Sequence, residues 1–388
     1  MRSHSHLNTA QKIIRSYDGS IPFAAWLKHF FKSDKKYGSK DRKEISHACY
    51  CFYRLGKSFP DLNFEEKILI ALFLCSNQSN KIIEELKPGW QSLIGLPLNQ
   101  KIEFLSLENA VKNIFPLDGE LSSEIDAPAF NSSFLIQPDL FLRIRPNKKE
   151  TVLNKLKTAS VDFVLINEDC IRLSNQLKVD EFLDLDEEVV IQDLNSQKTT
   201  DLLNRLRLQT QNSKLTCWDC CAASGGKSIL LHDHFTNVHL TVSDVRESIL
   251  INLHKRFAKA GIKNYDCFVG DVSSPNFSIQ KKFDLVICDA PCSGSGTWSR
   301  TPEQLYYFTR PQIDRYSALQ KKIVQQAIPH LKPGGFLLYC TCSVFKKENE
   351  EVVQYIEEQH SLQLLKKELL TGYNQKADTL FGAVFQKK

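Results

Sequence analysis

Apolar residues recur at three- and four-residue steps through Ile13, Ile14, Phe23, Ala24, Trp26, Leu27 and Phe30, and again through Ile45, Ala48, Cys49, Phe52 and Tyr53. That period predicts helices over residues 1–125. The polar, turn-rich stretch from Leu117 to Pro128 loses the periodicity and marks a boundary. Beyond it, residues 130–208 predict a small α/β unit: strands at Phe141–Arg145, Phe163–Ile166 and Glu188–Gln192, with a helix from Lys148 to Ala159. From Lys214 the pattern alternates. Leu215–Asp219, His239–Asp244, Tyr265–Gly270, Phe283–Asp289 and Gly335–Cys340 read as strands. Lys227–His234, Arg246–Ala260, Tyr316–Leu331 and Asn349–His360 read as helices. Strand–helix alternation of this kind predicts a doubly wound, mostly parallel α/β sheet over residues 209–388.

The chain of 388 residues has room for two or three domains. Its mean hydropathy of -0.29 is that of a soluble globular protein. The longest apolar stretch, Ile68 to Cys75, is far shorter than the ~20 residues that span a bilayer. Met1 to His6 lead into no hydrophobic signal region, so the expected location is the cytoplasm. Twelve cysteines then read as reduced thiols, most of them small buried hydrophobes such as Cys49, Cys51, Cys75, Cys217, Cys267, Cys288 and Cys340. Cys217 and Cys220 form a Cys-x-x-Cys pair with no partner pair, and no metal site is expected there.

The net charge of +5 is unevenly spread: residues 1–60 carry +8 and the remainder −3. Lys32, Lys35, Lys36, Lys40, Arg42 and Lys43 cluster in that basic segment. An isolated basic run reads first as a solvated helix face. Where the rest of a chain points to a nucleic-acid substrate, contact with its phosphates becomes the better reading. Arg143, Arg145, Lys148 and Lys149 beside Phe141 fit either a single-strand platform or an ordinary strand edge.

The candidate chemistry lies at strand ends, where open α/β sheets place their sites. The first strand of the alternating region runs into Asp219-Cys220-Cys221-Ala222-Ala223-Ser224-Gly225-Gly226-Lys227. This small-residue turn lets backbone approach a ligand, with free amides at the helix start. It is neither a dinucleotide fingerprint nor a Walker A loop. Asp244 ends the second strand, where a carboxylate can accept ribose hydroxyls, and Asp271 follows the third, where one can meet an adenine amino group. Each acid alone reads as a loop or capping residue. Together at successive strand ends they suit an adenosyl ligand without a pyrophosphate, S-adenosylmethionine. Two further strand ends deliver Asp289-Ala290-Pro291-Cys292 and Thr341-Cys342-Ser343. A carboxylate and two thiols on one rim suit covalent chemistry on an electron-poor ring.

The block from Asp219 to Ser343 resembles the Sun/RsmB (Fmu) family of RNA cytosine-C5 methyltransferases, through Cys221 to Lys227, Asp289 to Gly294 and Thr341 to Ser343. Upstream, Phe141–Asn147 and Val189–Gln197 are similar to the family's small, RRM-like α/β segment. Gly38–Arg42 with Tyr50–Arg54 is similar to the helical NusB-like domain of the RsmB branch. The resemblance implies a Rossmann-like class I methyltransferase domain that uses S-adenosylmethionine to make 5-methylcytosine in ribosomal RNA; a monomer without a metal is expected. Transfer RNA is the alternative substrate, and a non-catalytic RNA-binding assembly factor the alternative class. It implies Cys342 as the nucleophile at carbon 6 and Cys292 as the group assisting proton removal and enzyme release. Asp289 would contact N3 of the base and the methionine part of the cofactor, and Lys227 either Asp289 or a target phosphate. The loop Cys221, Ala222, Ala223, Ser224, Gly225, Gly226 and Lys227, with Asp244, Asp271 and Asp289, would bind the cofactor. Trp298, Arg300 and Tyr306-Tyr307-Phe308 would stand where the base enters, or else pack in a core. Three positions depart from the family pattern. Ser224 replaces a Pro, Ile249 an Arg, and the segment Asp186-Glu187-Glu188 stands where a Gly is usual.

Overall fold

Continuous apolar runs become buried strands in a computed structural model of the chain, which describes residues 2–34, 36–203, 206, 214–235 and 237–388. Lys35 of the basic cluster and the expected boundary at 208/209 lie outside the described residues. The described strands are β1 Leu140–Ile144, β2 Phe163–Leu165, β3 Cys170–Leu173, β4 Val189–Ile191, β5 Leu215–Asp219, β6 Val238–Asp244, β7 Tyr265–Val269, β8 Phe283–Asp289, β9 Leu331–Thr341, β10 Leu362–Leu370 and β11 Leu380–Lys387. They form two sheets, one of four strands in the order β2-β3-β1-β4 and one of seven in the order β10-β11-β9-β8-β5-β6-β7.

In the larger sheet β5, β6, β7, β8 and β9 are parallel, and β11 runs antiparallel beside β9. The closing hairpin of β10 and β11 departs from the sequence expectation, which has no strands after His360. Leu362–Leu370 interleaves Lys366, Lys367 and Glu368 with leucines, so its edge strand carries a weak apolar signal. β5 and β8 sit centrally and are buried almost throughout, as continuous Leu/Val/Ile/Cys runs require. The helix Glu247–Lys259 turns Leu250, Leu253 and Phe257 onto the sheet core with Ile229, Val242 and Ile287. The small sheet is antiparallel, and β3 is a strand that its short, polar-flanked sequence does not announce.

The chain divides into two compact units. One comprises residues 1–121, 125–137 and 297–310; the other comprises 122–124, 138–296 and 311–388. In the first, the helices Arg2–Ser16 and Ser39–Arg54 pack through Leu7, Ala10, Ile13 and Ile45, Ala48, Cys49, Phe52. Asn63 caps the apolar helix Phe64–Cys75 by accepting from the Glu66 amide at 3.0 Å. The segment Thr297–Arg310 leaves the strand–helix alternation to join this unit. There Trp298, 1% exposed, packs at a tilt against Phe115 and Phe308, and Tyr307 meets Tyr17 edge-on at 5.1 Å. Of the two expectations for this run, core packing holds for Trp298 and Phe308, which are buried in the helical unit, while Tyr306 and Tyr307 are half-buried there. Among the described residues no helix is long and apolar enough to cross a membrane.

Arg143 and Arg145 are likewise not a surface platform. Both are buried, and both reach Asp233 on the helix Gly226–His234, at 2.6 and 2.7 Å. Burial pushes the Asp233 carboxyl up, but hydrogen bonds from His232 and Arg145 and the charge of both arginines bring it down to about 2. Arg143 Nε also donates to Gln192 and Arg145 Nη1 to the Asp186 carbonyl, so the ions lock the small sheet to the larger one. Asp233→Ala would leave two guanidiniums buried without their counter-ion. The expected loss is about 3–5 kcal/mol in denaturant unfolding; a loss below about 1 kcal/mol would show that this network does not hold the sheets together.

Candidate active site

The carboxyl ends of β5, β6, β8 and β9 converge on one rim. Cys292 lies in the loop after β8, whose backbone is stitched to β9: Ala290 N–H donates to the Cys340 carbonyl at 3.0 Å and Gly296 N–H to the Cys342 carbonyl at 2.9 Å. A Cβ at Gly296 would stand 2.1 Å from the Thr379 carbonyl oxygen, so only glycine permits this closeness. The outcome is a Sγ–Sγ distance of 3.3 Å between Cys292 and Cys342. Contact with Cys342 and then burial raise the Cys292 thiol well above its ordinary range. Strand β9 extends to Thr341, one residue further than its apolar run suggests; Cys340 faces the core and Cys342, just past the end, is only half-buried.

A buried carboxylate that sequence reasoning missed ties the two cysteine loops together. Glu348 accepts from the Ser293 amide at 2.9 Å, from Ser343 Oγ at 2.8 Å and from Gln320 Nε2 at 2.9 Å. Burial raises its pKa against the pull of those donors. Asn349 beside it accepts from Thr341 Oγ1 at 2.6 Å and donates to the Ser343 carbonyl at 2.9 Å. In sequence both sit in Lys346-Lys347-Glu348-Asn349-Glu350, a polar run that reads as an exposed helix start.

Lys227 Nζ lies 2.7 Å from Asp289 Oδ2. Burial opposes its charge, yet the Asp289 carboxylate more than offsets this and lifts Lys227 above the ordinary lysine range. The structure therefore places Lys227 on Asp289, one of its two expected partners. Asp244 is buried at the end of β6, accepting from Ala223 N–H at 3.0 Å and from the Arg246 side chain at 3.0 Å. Asp271 stands apart: it is exposed and accepts from Ser273 N–H and Oγ.

The small-residue loop is held from outside. Gly225 has φ +83°, and a Cβ there would lie 2.7 Å from the Phe257 ring. Arg256 Nη1 donates to Ser224 O at 3.1 Å and to Ser224 Oγ at 3.0 Å, while its Nε and Nη2 clasp Asp186 Oδ1 at 2.9 and 2.8 Å. Asp186 itself has φ +67°, a conformation that explains why a glycine suits this segment and that Asp tolerates better than most residues. Two of the three departures from the family pattern are thus joined by one guanidinium.

Beneath the loop, Cys220 and Cys221 meet Cys288 of β8, all three sulfurs lying within 4.8 Å of one another. Among themselves the thiols exchange hydrogen bonds, and with burial the net effect holds each well above the ordinary thiol range. Cys217 belongs instead to the sheet core.

Seven strands in this order, with one antiparallel strand beside β9, define a Rossmann-like α/β fold. Residues 205–381 match the sequence profile of the family described as 16S rRNA methyltransferase RsmB/F. Ribosomal RNA small subunit methyltransferase B of Pasteurella multocida is 30% identical over 223 residues, 55% of this chain and 48% of that protein. Its counterpart in Cronobacter sakazakii is 33% identical over 167 residues, 43% of this chain and 37% of that one. The matches thus span about half, or less, of the length of these curated relatives. Among solved structures, PH0851 superposes with a TM-score of 0.70 at 19% identity, covering 98% of both chains. NSun6 from Pyrococcus horikoshii with SFG superposes at 0.57 and 15% identity, covering 72% of this chain and 97% of that one. Both share the fold.

Asp219 is fully buried under the loop, and burial lifts its carboxyl to about 7 from an ordinary 3.8, although Ser228 Oγ donates to it at 2.6 Å. Between these two values the folded chain binds more protons than the unfolded one, so this group lowers stability as pH rises through the window. Asp219→Asn cannot ionise. Relative to the parent it should gain stability between about pH 4 and about pH 8, by up to about 4 kcal/mol. Parallel stability–pH curves for the two proteins would show that Asp219 titrates as an ordinary carboxyl.

Proposed function

We propose that this chain methylates carbon 5 of a cytosine in RNA, using S-adenosylmethionine, with small-subunit ribosomal RNA as the substrate. The observation that carries the reading is the pair of thiols 3.3 Å apart on the rim that also holds Asp289. Carbon 5 of cytosine is a poor nucleophile until a thiolate adds to carbon 6 and turns the ring into an enamine. Cys342, half-buried at the mouth, is assigned that addition. Asp289, fixed by Lys227, is assigned the contact with N3; it draws electron density from the ring as the adduct forms once its carboxyl carries the proton that N3 accepts. After methylation the carbon-5 proton must leave so that the Cys342–carbon 6 bond can break, and Cys292 is the neighbouring group placed to assist.

The loop fits the cofactor: Asp219 Oδ1 is buried with no partner among the described residues, and the turn at Gly225 has no room for a side chain. The loop Cys221 to Lys227 would hold it, with Asp244 toward the ribose and Asp271 toward the adenine. S-adenosylmethionine supplies a methyl group activated on a sulfonium. Lys32, Lys36, Lys40 and Lys43 are exposed on the helical unit, which supports its reading as a NusB-like phosphate-binding domain. The names of the curated relatives favour ribosomal over transfer RNA, and a cytoplasmic location follows from that substrate.

Incubated with labelled S-adenosylmethionine and total RNA, Cys292→Ala should accumulate a covalent protein–RNA adduct. Cys342→Ala should form none and transfer no methyl group. Undiminished methylation by Cys342→Ala would refute the nucleophile assignment. Cofactor and RNA binding without transfer by the parent would favour the assembly-factor reading. Separately, Arg256→Met should weaken S-adenosylmethionine binding by about tenfold, a cost of about 1.4 kcal/mol, as measured by calorimetry. An unchanged affinity would show that the loop needs no external clamp.

A further inference from the structure

Cys220 and Cys288 take no part in the chemistry above, and Cys221 enters it only as the first residue of the cofactor loop, yet three thiols converge from the end of β5 and from β8 at a place where alanine or valine would fill the core as well. Cys220 is 1% exposed and Cys288 0%, while Cys221 reaches the loop surface. A cation bonded to three sulfurs at about 2.3 Å needs them about 4 Å apart, and these lie within 4.8 Å of one another. No other His, Cys, Asp or Glu among the described residues joins the group, so a fourth protein ligand is lacking. An all-sulfur, three-cornered donor set favours a soft cation over hard or imidazole-seeking ones. We infer that Cys220, Cys221 and Cys288 form a trigonal thiolate site for copper(I).

Binding forms three Cu–S bonds and releases three thiol protons to solvent, with no change of oxidation state. The half-buried Cys221 is the way in. Because Cys221 opens the loop read as the cofactor cradle, a bound ion would pin the first residue of that loop.

The test is an anaerobic titration of the reduced full-length protein with copper(I), using bicinchoninate as a coloured competitor. The parent should take a single copper from the chelator, and Cys292→Ser/Cys342→Ser should retain it. Cys220→Ala and Cys288→Ala should each lose it. Loss confined to the Cys292/Cys342 variant would place the copper on the other thiol pair and overturn the inference, as would copper that stays on the chelator. Cadmium(II) held in a four-coordinate thiolate spectrum while copper(I) is refused would equally overturn the assignment. Should the alanine variants fail to fold, alkylation of the parent decides: copper(I) should protect Cys221 from N-ethylmaleimide, and equal labelling with and without copper would refute the site.

Discussion

The carboxylate of Glu348 is the point on which the rim depends. Two loops that begin at different strands, 50 residues apart in sequence, must deliver sulfur atoms to within 3.3 Å of each other. Main-chain bonds from Ala290 and Gly296 to the β9 strand end bring the loops alongside. Glu348 then takes one donor from each, Ser293 N–H and Ser343 Oγ, with Gln320 completing its shell. A buried carboxylate is costly unless its oxygens are satisfied. The same need that keeps Glu348 bonded therefore keeps both loops in place.

A second device works on the cofactor-side loop. Where the family has a stiff proline, this chain has Ser224, and where it has glycine, Asp186 takes a left-handed conformation. Arg256 spans both, donating to Ser224 and to Asp186. Covalent stiffness in the backbone is replaced by a planar guanidinium whose fork fits two acceptors at once. Lys227, at the far end of the loop, does the corresponding work for Asp289 from a half-buried position.

Charge and aromatic residues changed meaning once the chain was folded. Arg143 and Arg145 look available for phosphates in sequence, yet both are spent on Asp233 in the interior. Trp298 and Phe308 follow the Cys292 loop in sequence, but the segment Thr297–Arg310 belongs to the helical unit and buries them there. Proximity in sequence to a catalytic loop is a poor guide when the chain crosses between units within a few residues.

The alternation of apolar strands and amphipathic helices after Lys214, the small-residue turn at Cys221–Lys227 and the two cysteine motifs were legible in the sequence alone. Such signals are local: a buried parallel strand must be apolar along its whole length, and a tight turn must use small residues. The β10–β11 hairpin was not, because its edge strand β10 carries Lys366, Lys367 and Glu368. Nor were Glu348, Arg256 and the Cys220–Cys221–Cys288 cluster, whose partners lie up to about 70 residues away, as Arg256 does from Asp186. Read by spacing, Cys220 pairs with Cys217; folding sends Cys217 into the sheet core and brings Cys288 to Cys220 instead. Hydrogen bonds, ion pairs and donor sets between distant segments depend on strand order and register, and only the tertiary structure decides those.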